Sequence, residues 1–293
     1  MMAVASSGGS IWALNLFFSS SKIKPFLAKA SAHTYSKEFS SHFRCKNSYK
    51  NSVAVYPGTV ADRVLMDIEN SGIIACLRAQ SAEMAIEAAR AALSGGISVL
   101  EITMSTPGVF EALQFLVHEY PSASLGVGTV LDREDAKDAL KCGAKFLMSP
   151  AMVKEILDDV AEGQALYIPG AMTPTEILLA STAGAKIVKV YPVSALGGVQ
   201  YIAAVKKPFP DIKMIASQGI TIGNFKMCKL ILILGRRFSG SVYWSGASSV
   251  VLSDAIFEKN AMDEKYFDRI NQLARSAAFT GSQAVRKIRD NLS

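Results

Sequence analysis

Two charged residues stand inside apolar stretches that are typical of buried β-strands. Lys189 lies in "KIVKVYP" (186–192), and Glu101 lies in "SVLEITM" (98–104). Burying an unpaired charge costs several kcal/mol, so such residues need a specific role. Burial favours a neutral amine over an ammonium, and a neutral amine can attack a ketone to form a Schiff base. We therefore predict that Lys189 is a nucleophile and that Glu101 transfers protons beside it.

Two interpretations without catalysis remain open for Lys189. The lysine could lie near a strand end and extend its amine to water, or it could form a structural ion pair with Glu101. The neighbouring strands favour catalysis, because alternate residues of a strand share a face and other polar residues fall on this one. On this rule Thr129, which can hold a substrate oxygen, points inward together with Val127. The polar residues of the predicted inward face are Lys189, Glu101, Thr129 and Arg78.

Eight short β-like segments alternate with helical patterns from about residue 60 onward. The segments are 72–79, 98–104, 125–131, 145–150, 165–170, 186–192, 212–219 and 248–254. Helical stretches such as 81–96, 132–144 and 173–185 begin with a Ser, Asp or Thr cap and end in glycine. Eight βα units predict an α/β protein, a (β/α)8 TIM barrel whose chemistry lies at the C-terminal ends of the strands. A doubly wound open sheet is the alternative, although no G-x-G-x-x-G motif follows the first strand.

Histidine and cysteine usage argues against several kinds of site. The chain has three histidines, His33, His42 and His118, and only His118 lies beyond the first 58 residues. A histidine-based metal site or a Ser-His-Asp triad is therefore not predicted. The four cysteines form no C-x-x-C pair, which predicts free thiols in a reducing compartment. They are Cys45, Cys76, Cys142 and Cys228.

Residues 1–58 are predicted to be a disordered transit peptide. Residues 1–52 contain seven Lys or Arg, one acid and twelve serines, a composition typical of organelle targeting. The predicted destination is the chloroplast, with the mitochondrion as the alternative, and the apolar stretch at 10–26 is a weaker secretory candidate. Residues 1–52 account for the whole net charge of +6. The rest is near neutral, so the basic charge indicates no nucleic-acid partner. No run of 18 apolar residues occurs, so no membrane span is predicted.

Residues 59–293 are predicted to form one barrel domain with an atypical insertion at about 227–242. The stretch "KMCKLILILGRRFSGSV" (226–242) has an apolar run and an arginine pair but no helical period. It interrupts the seventh βα unit. It is either a real surface insertion or an error in the gene structure, such as a translated intron.

Four segments resemble the KHG/KDPG aldolase family. They are "GISVLEITMSTP" (96–107), "LGVGTVLD" (125–132), "LMSPAM" (147–152) and "GAKIVKVYPVSALGG" (184–198). The resemblance covers about 62–222 and 246–280 and implies an organelle-targeted, plant-like member. The family implies a class I enzyme that cleaves 2-keto-4-hydroxyglutarate or 2-keto-3-deoxy-6-phosphogluconate to pyruvate and an aldehyde. It also implies a homotrimer that uses neither a metal ion nor a cofactor.

The resemblance assigns roles to individual positions. It implies that Lys189 is the Schiff-base lysine, that Glu101 is the general acid and base, and that Thr129 contacts the pyruvate carboxylate. Tyr191 stands where the family usually has Phe and would pack beside the imine. Pro150 would contact the substrate.

The sequence departs from the family at both anion-binding sites. After "LEIT" the family usually reads Leu-Arg, and here Ser105 replaces the arginine that helps to hold the pyruvate carboxylate. Arg78 could supply the lost cation. The phosphate-binding Thr-Gly-Gly and Gly-Ser are replaced by Ser217, Gln218 and Gly219 and by Ser253 and Asp254. A carboxylate repels a phosphate dianion, so a phosphorylated substrate is not expected to be the preferred one.

The predicted function is therefore a metal-independent class I aldolase acting on a small 2-keto-4-hydroxy acid. One alternative is a phosphosugar isomerase or epimerase barrel, which would need two acids or a metal site. Another is a barrel without activity that is retained for binding.

Overall fold

The computed structural model of this chain describes residues 58–222 and 247–290. Nearly all of the predicted leader and the whole segment at about 227–242 lie outside this part, so both stay predictions. Within the described residues, no helix is both long and apolar enough to cross a membrane.

Within the described residues, nine parallel strands form one sheet. They are β1 (Ile73–Leu77), β2 (Val99–Thr103), β3 (Ser124–Gly128), β4 (Phe146–Met148), β5 (Leu166–Ile168), β6 (Gly170–Ala171), β7 (Val188–Val190), β8 (Met214–Ser217) and β9 (Ser249–Leu252). The order β5-β4-β3-β2-β1-β9-β8-β7-β6 places β5 and β6 at opposite edges, yet only Pro169 separates them in the chain. The edges are thus joined, and the sheet curls into a barrel. The predicted TIM barrel is confirmed, and the open sheet is wrong.

The fifth predicted segment, 165–170, is the one that the structure divides. Pro169 has no N–H group to donate to a neighbouring strand, so the hydrogen-bonded ladder breaks there. Its carbonyl still accepts a bond of 2.8 Å from the backbone N–H of Lys189. This bond ties β7 to the interrupted strand.

Helices surround the strands. They are α1 (Val60–Ser71), α2 (Ala82–Ser94), α3 (Val109–Glu119), α4 (Arg133–Lys141), α5 (Lys154–Asp159), α6 (Pro174–Thr182), α7 (Val199–Lys206), α8 (Lys259–Asp263) and α9 (Phe267–Asp290), with a 3-10 turn at Ser194–Leu196. The side chains of Ser81, Asp132 and Thr173 cap α2, α4 and α6. The predicted caps are therefore confirmed.

Helix α1, which the sequence analysis did not assign, closes the N-terminal end of the barrel. Its buried residues Ala61, Val64 and Ile68 pack into the same cluster as the interior strand residues. Its acids pair with lysines that precede strands: Asp62 with Lys186 at 2.5 Å and Glu69 with Lys213 at 2.7 Å. Because α1 occupies this end, the site must lie at the opposite, C-terminal end of the strands.

Candidate active site

Lys189 is the central residue of β7 and points into the barrel. Its neighbours Val188 and Val190 pack in the outer layer, between the strands and the helices, while Ile187 packs in the interior. Lys189 is only 7% exposed, so its amine is not extended into water. Its Nζ atom lies 5.4 Å from the centroid of the Tyr191 ring.

Glu101 lies in β2 with its carboxylate inside the barrel. The residue is 1% exposed, and its Oε2 atom has no hydrogen-bond partner among the described residues. No ion pair within 4.0 Å joins it to Lys189 in this part of the chain, so the structural ion-pair interpretation does not hold. A buried carboxylate oxygen without a partner is costly, and functional sites are where such costs are retained.

Glycines in β3 make room for this carboxylate. A Cβ atom on Gly128 would lie 2.2 Å from Oε2 of Glu101, and one on Gly126 would lie 2.6 Å from the Phe146 ring. The predicted inward position of Val127 is therefore wrong, since Val127 packs in the outer layer. The interior beside Glu101 admits no side chain from β3.

Thr129 follows the end of β3 and adopts a φ of 62°. The left-handed region is unfavourable for residues other than glycine, and such strain is often retained at functional sites. This backbone change ends the strand alternation, so the direction of Thr129 does not depend on that of Val127.

Cys76 and Arg78 of the first strand stand beside the same carboxylate. Cys76 is the Cα partner of Glu101 between β1 and β2. Burial, followed by the negative charge of Glu101 and hydrogen bonding to it, raises the pKa of Cys76, while the positive charges of Lys189 and Arg78 lower it. The structure thus brings Lys189, Glu101 and Arg78, three members of the predicted inward set, into one electrostatic neighbourhood.

Arg78 extends over the position where the sequence has lost an arginine. Its Nε atom donates to the Ser105 hydroxyl at 3.0 Å, and Ser105 lies 3.0 Å from the hydroxyl of Thr103. Arg78 is exposed, just beyond the end of β1. A guanidinium therefore does lie at Ser105, although it comes from a different strand.

The remaining predicted site residues lie at the C-terminal ends of their strands. Ser217 is buried at the end of β8. Gln218 and Gly219 follow with φ values of 79° and 74°, and the Ser194 hydroxyl donates to the Gln218 amide oxygen. Pro150 and Ser253 are half-buried, and Asp254 is exposed two residues beyond β9.

No group of three or more His, Cys, Asp or Glu side chains converges on a possible metal position within 58–222 and 247–290. Within the described residues, the barrel interior instead brings together the Lys189 amine, the Glu101 carboxylate and the Cys76 thiol, with the Arg78 guanidinium at the rim. This set can form an imine and can transfer protons beside it.

Comparison with known proteins identifies the family. A family profile described as "Aldolase: KDPG and KHG aldolase" matches residues 64–254. The chain belongs to this family. It is 33% identical over 195 residues to the KHG/KDPG aldolase of Escherichia coli (strain K12), covering 67% of this chain and 85% of that protein. It is 32% identical over 195 residues to the 2-dehydro-3-deoxy-phosphogluconate aldolase of Dickeya dadantii, with the same two shares.

A solved structure in the family has the same architecture. The KDPG aldolase of Legionella pneumophila, with pyruvate captured at low pH as a covalent carbinolamine intermediate, superposes with a TM-score of 0.64. It is 26% identical and covers 73% of this chain and 97% of its own. Membership of this family decides for the lyase over the isomerase or epimerase.

Two residues of this aldolase site were not singled out from the sequence. Gly128 has no side chain and so leaves space for the Glu101 carboxylate, and Cys76 faces that carboxylate from β1. The signal for the first was legible, because glycines at i and i+2 of one strand indicate a close approach on that face. Nothing in the sequence distinguished Cys76 from an ordinary buried cysteine.

Proposed function

We propose that Lys189 forms the Schiff base and Glu101 transfers the protons in this class I aldolase, which cleaves a 2-keto-4-hydroxy acid to pyruvate and an aldehyde. The observation that carries the proposal is the barrel interior itself. The interior contains the buried amine of Lys189 and a buried carboxylate oxygen of Glu101 that has no hydrogen-bond partner among the described residues. In this part of the chain, no acid lies within 4.0 Å of the Lys189 amine.

The reaction begins at the substrate ketone. The neutral amine of Lys189 attacks C2, and loss of water from the carbinolamine gives a protonated imine. Glu101 then takes the proton of the C4 hydroxyl, directly or through a water molecule. The C3–C4 bond breaks, its electron pair moves into the imine to form an enamine, and the aldehyde leaves. The protonated Glu101 returns the proton to C3, and water hydrolyses the imine to free pyruvate and the lysine.

The rim of the site would hold the ends of the substrate. Arg78, oriented by Ser105, supplies a cation for the carboxylate next to the ketone. Thr129 and Pro150 border the same end, and the Tyr191 ring covers the imine nitrogen. The assay is pyruvate release from 2-keto-4-hydroxyglutarate by the purified chain. Absence of release from both this substrate and its phosphorylated sugar-acid counterpart would favour a barrel kept for binding.

The phosphate positions predict substrate choice. We expect a higher kcat/KM for unphosphorylated 2-keto-4-hydroxyglutarate than for 2-keto-3-deoxy-6-phosphogluconate, because Asp254 carries a negative charge where a dianion would bind. Asp254→Ser should raise kcat/KM for the phosphorylated substrate by about tenfold. Both substrates are compared by the rate of pyruvate release.

The matched control for this test removes a carboxylate from the opposite end of the barrel. Glu162 is exposed and precedes Gly163, whose carbonyl accepts a bond from Ala61 of α1. Glu162→Ser should leave the ratio of the two kcat/KM values unchanged. A preference of the unmodified protein for the phosphorylated acid would contradict the placement of Asp254.

The chain is further proposed to form a homotrimer. Its family resemblance supports this, and so do three exposed apolar residues on α6 and just before it, Met172, Leu178 and Leu179. Leu179→Glu should dissociate the assembly, as measured by sedimentation velocity. Phe279→Glu, at an exposed apolar position on α9, is the control and should leave it intact. A monomeric unmodified protein would exclude the trimer.

Residues 1–58 are proposed to direct the protein to the chloroplast, with the mitochondrion as the alternative. Their serine-rich, acid-poor composition supports this. A fluorescent reporter fused behind these residues should enter the organelle, and mass spectrometry should find the mature protein without them. A reporter that stays in the cytosol would reject the proposal.

A further inference from the structure

Cys76 and Glu101 face each other across the pair β1 and β2. They are direct Cα partners in the parallel ladder. Cys76 packs against the interior cluster, and Glu101 extends into the same interior. Their side chains therefore approach each other inside the barrel and not in the outer layer.

The surroundings of Glu101 leave few groups to orient its carboxylate. On the β3 side stands Gly128, which has no side chain, and Oε2 has no hydrogen-bond partner among the described residues. Besides Glu101, two charged groups act on the neighbouring Cys76 thiol, Arg78 just beyond β1 and Lys189 of β7. The Lys189 ammonium must lose a proton before its amine can attack the ketone. Arg78 donates to Ser105 at the rim. Of these three groups, Cys76 is the donor that remains for Glu101.

The Cys76 thiol is suited to donate and unsuited to react. Burial and the adjacent Glu101 charge raise its pKa, so it stays protonated near neutral pH. A thiol in this form can donate its S–H to a carboxylate oxygen. It also does not compete with Lys189 for the ketone, because the thiolate and not the thiol is the nucleophile.

We propose that Cys76 is a positioning residue whose S–H group donates to the Glu101 carboxylate and holds it toward the C4 hydroxyl of the substrate. This inference rests on the proposed role of Glu101 as the proton-transfer group. A hydrogen-bond donor of this kind stabilises the ionised form of a carboxylate over its protonated form.

Substitutions of Cys76 test this role. Cys76→Ala removes the donor, and kcat should fall about tenfold, the scale of one hydrogen bond to a charged group. KM should stay unchanged, and the acid limb of the kcat–pH profile should move to higher pH. Cys76→Ser retains a donor and should recover most of the rate and the original acid limb. Circular dichroism verifies the fold of each variant.

Cys142→Ala is the matched control. Cys142 is the other cysteine of the described residues, and it is buried in the outer layer at the end of α4. This variant should keep the kcat and the pH profile of the unmodified protein. If Cys142→Ala lost kcat to the same extent as Cys76→Ala, the proposal would be overturned.

Two further outcomes would overturn the positioning role. An unchanged rate and pH profile in Cys76→Ala shows that the thiol does not orient Glu101. An equal loss in Cys76→Ala and Cys76→Ser, without a shift of the acid limb, shows that sulfur only fills space. Borohydride trapping of pyruvate on Lys189 is measured in parallel. If no pyruvate is trapped in the unmodified protein, the proposed function itself is refuted. If pyruvate is trapped and one of the two outcomes above is observed, only the role of Cys76 is refuted.

Discussion

Borohydride reduction in the presence of pyruvate should trap one covalent adduct, and peptide mass spectrometry should place it on Lys189. The imine forms only where a ketone meets a neutral amine, and among the described residues Lys189 is the lysine inside the barrel, in β7 near the C-terminal ends of the strands. Lys189→Ala and Lys189→Arg should abolish the adduct and should lower turnover at least about 10³-fold.

Lys206 makes this experiment discriminating. Burial lowers the pKa of Lys206 to about 8, so a substantial fraction of this amine is neutral near pH 7.5. On titration alone it is therefore a rival nucleophile. However, it lies in the last turn of α7, where its Nζ atom donates to the Ile212 carbonyl at 2.5 Å.

Lys206→Met keeps the buried hydrocarbon of that side chain and removes its amine. The variant should retain both the adduct and the activity of the unmodified protein. An adduct on Lys206, or an adduct that survives Lys189→Ala, would overturn the assignment of the Schiff-base lysine.

The barrel could be predicted from the sequence because fully buried parallel strands appear as short apolar runs between capped helices. Helix α1 could not be predicted from the same pattern. Its capping box at Thr59 and Asp62 is visible in the sequence, but the helix precedes the first strand and so belongs to no βα unit. Its role depends on three apolar residues that fill the end of a barrel, which is a tertiary fact.

The inverted face of β3 has a more specific cause. The prediction counted alternate residues back from Thr129, as if the strand continued that far. The strand ends at Gly128, and Thr129 enters the left-handed region, where alternation no longer applies. Gly126 and Gly128 carried the better signal, since a strand face without side chains indicates that another group occupies the space.

Lys189 and Glu101 could be selected from the sequence because each interrupts an apolar run. The replacement of one arginine by another could not be demonstrated at that level. Arg78 and Ser105 are 27 positions apart, and their contact at 3.0 Å depends on how β1 and β2 are paired. The role of Cys76 likewise depends on register, which places it opposite Glu101.

Glu101→Gln should keep the imine and lose most of the turnover. Glutamine has the shape of glutamate and fits beside Gly128, but its amide cannot accept a proton from the C4 hydroxyl. General acid and base groups typically contribute 10²–10⁴-fold, so kcat should fall by about that factor. Borohydride trapping of pyruvate on Lys189 should proceed to the same extent as in the unmodified protein.

Exchange of the pyruvate methyl protons with deuterated water isolates the step that Glu101 performs. The unmodified enzyme should catalyse this exchange, because the imine and its enamine interconvert by proton transfer at C3. Glu101→Gln should trap pyruvate and yet exchange its protons slowly, as followed by proton NMR. Glu101→Asp retains the acid but shortens its reach by one methylene, so it should recover part of the exchange. Full exchange and full turnover in Glu101→Gln would reject Glu101 as the proton-transfer group. An equal loss of trapping and exchange would instead place it in imine formation as well, because the same carboxylate could protonate the departing carbinolamine hydroxyl.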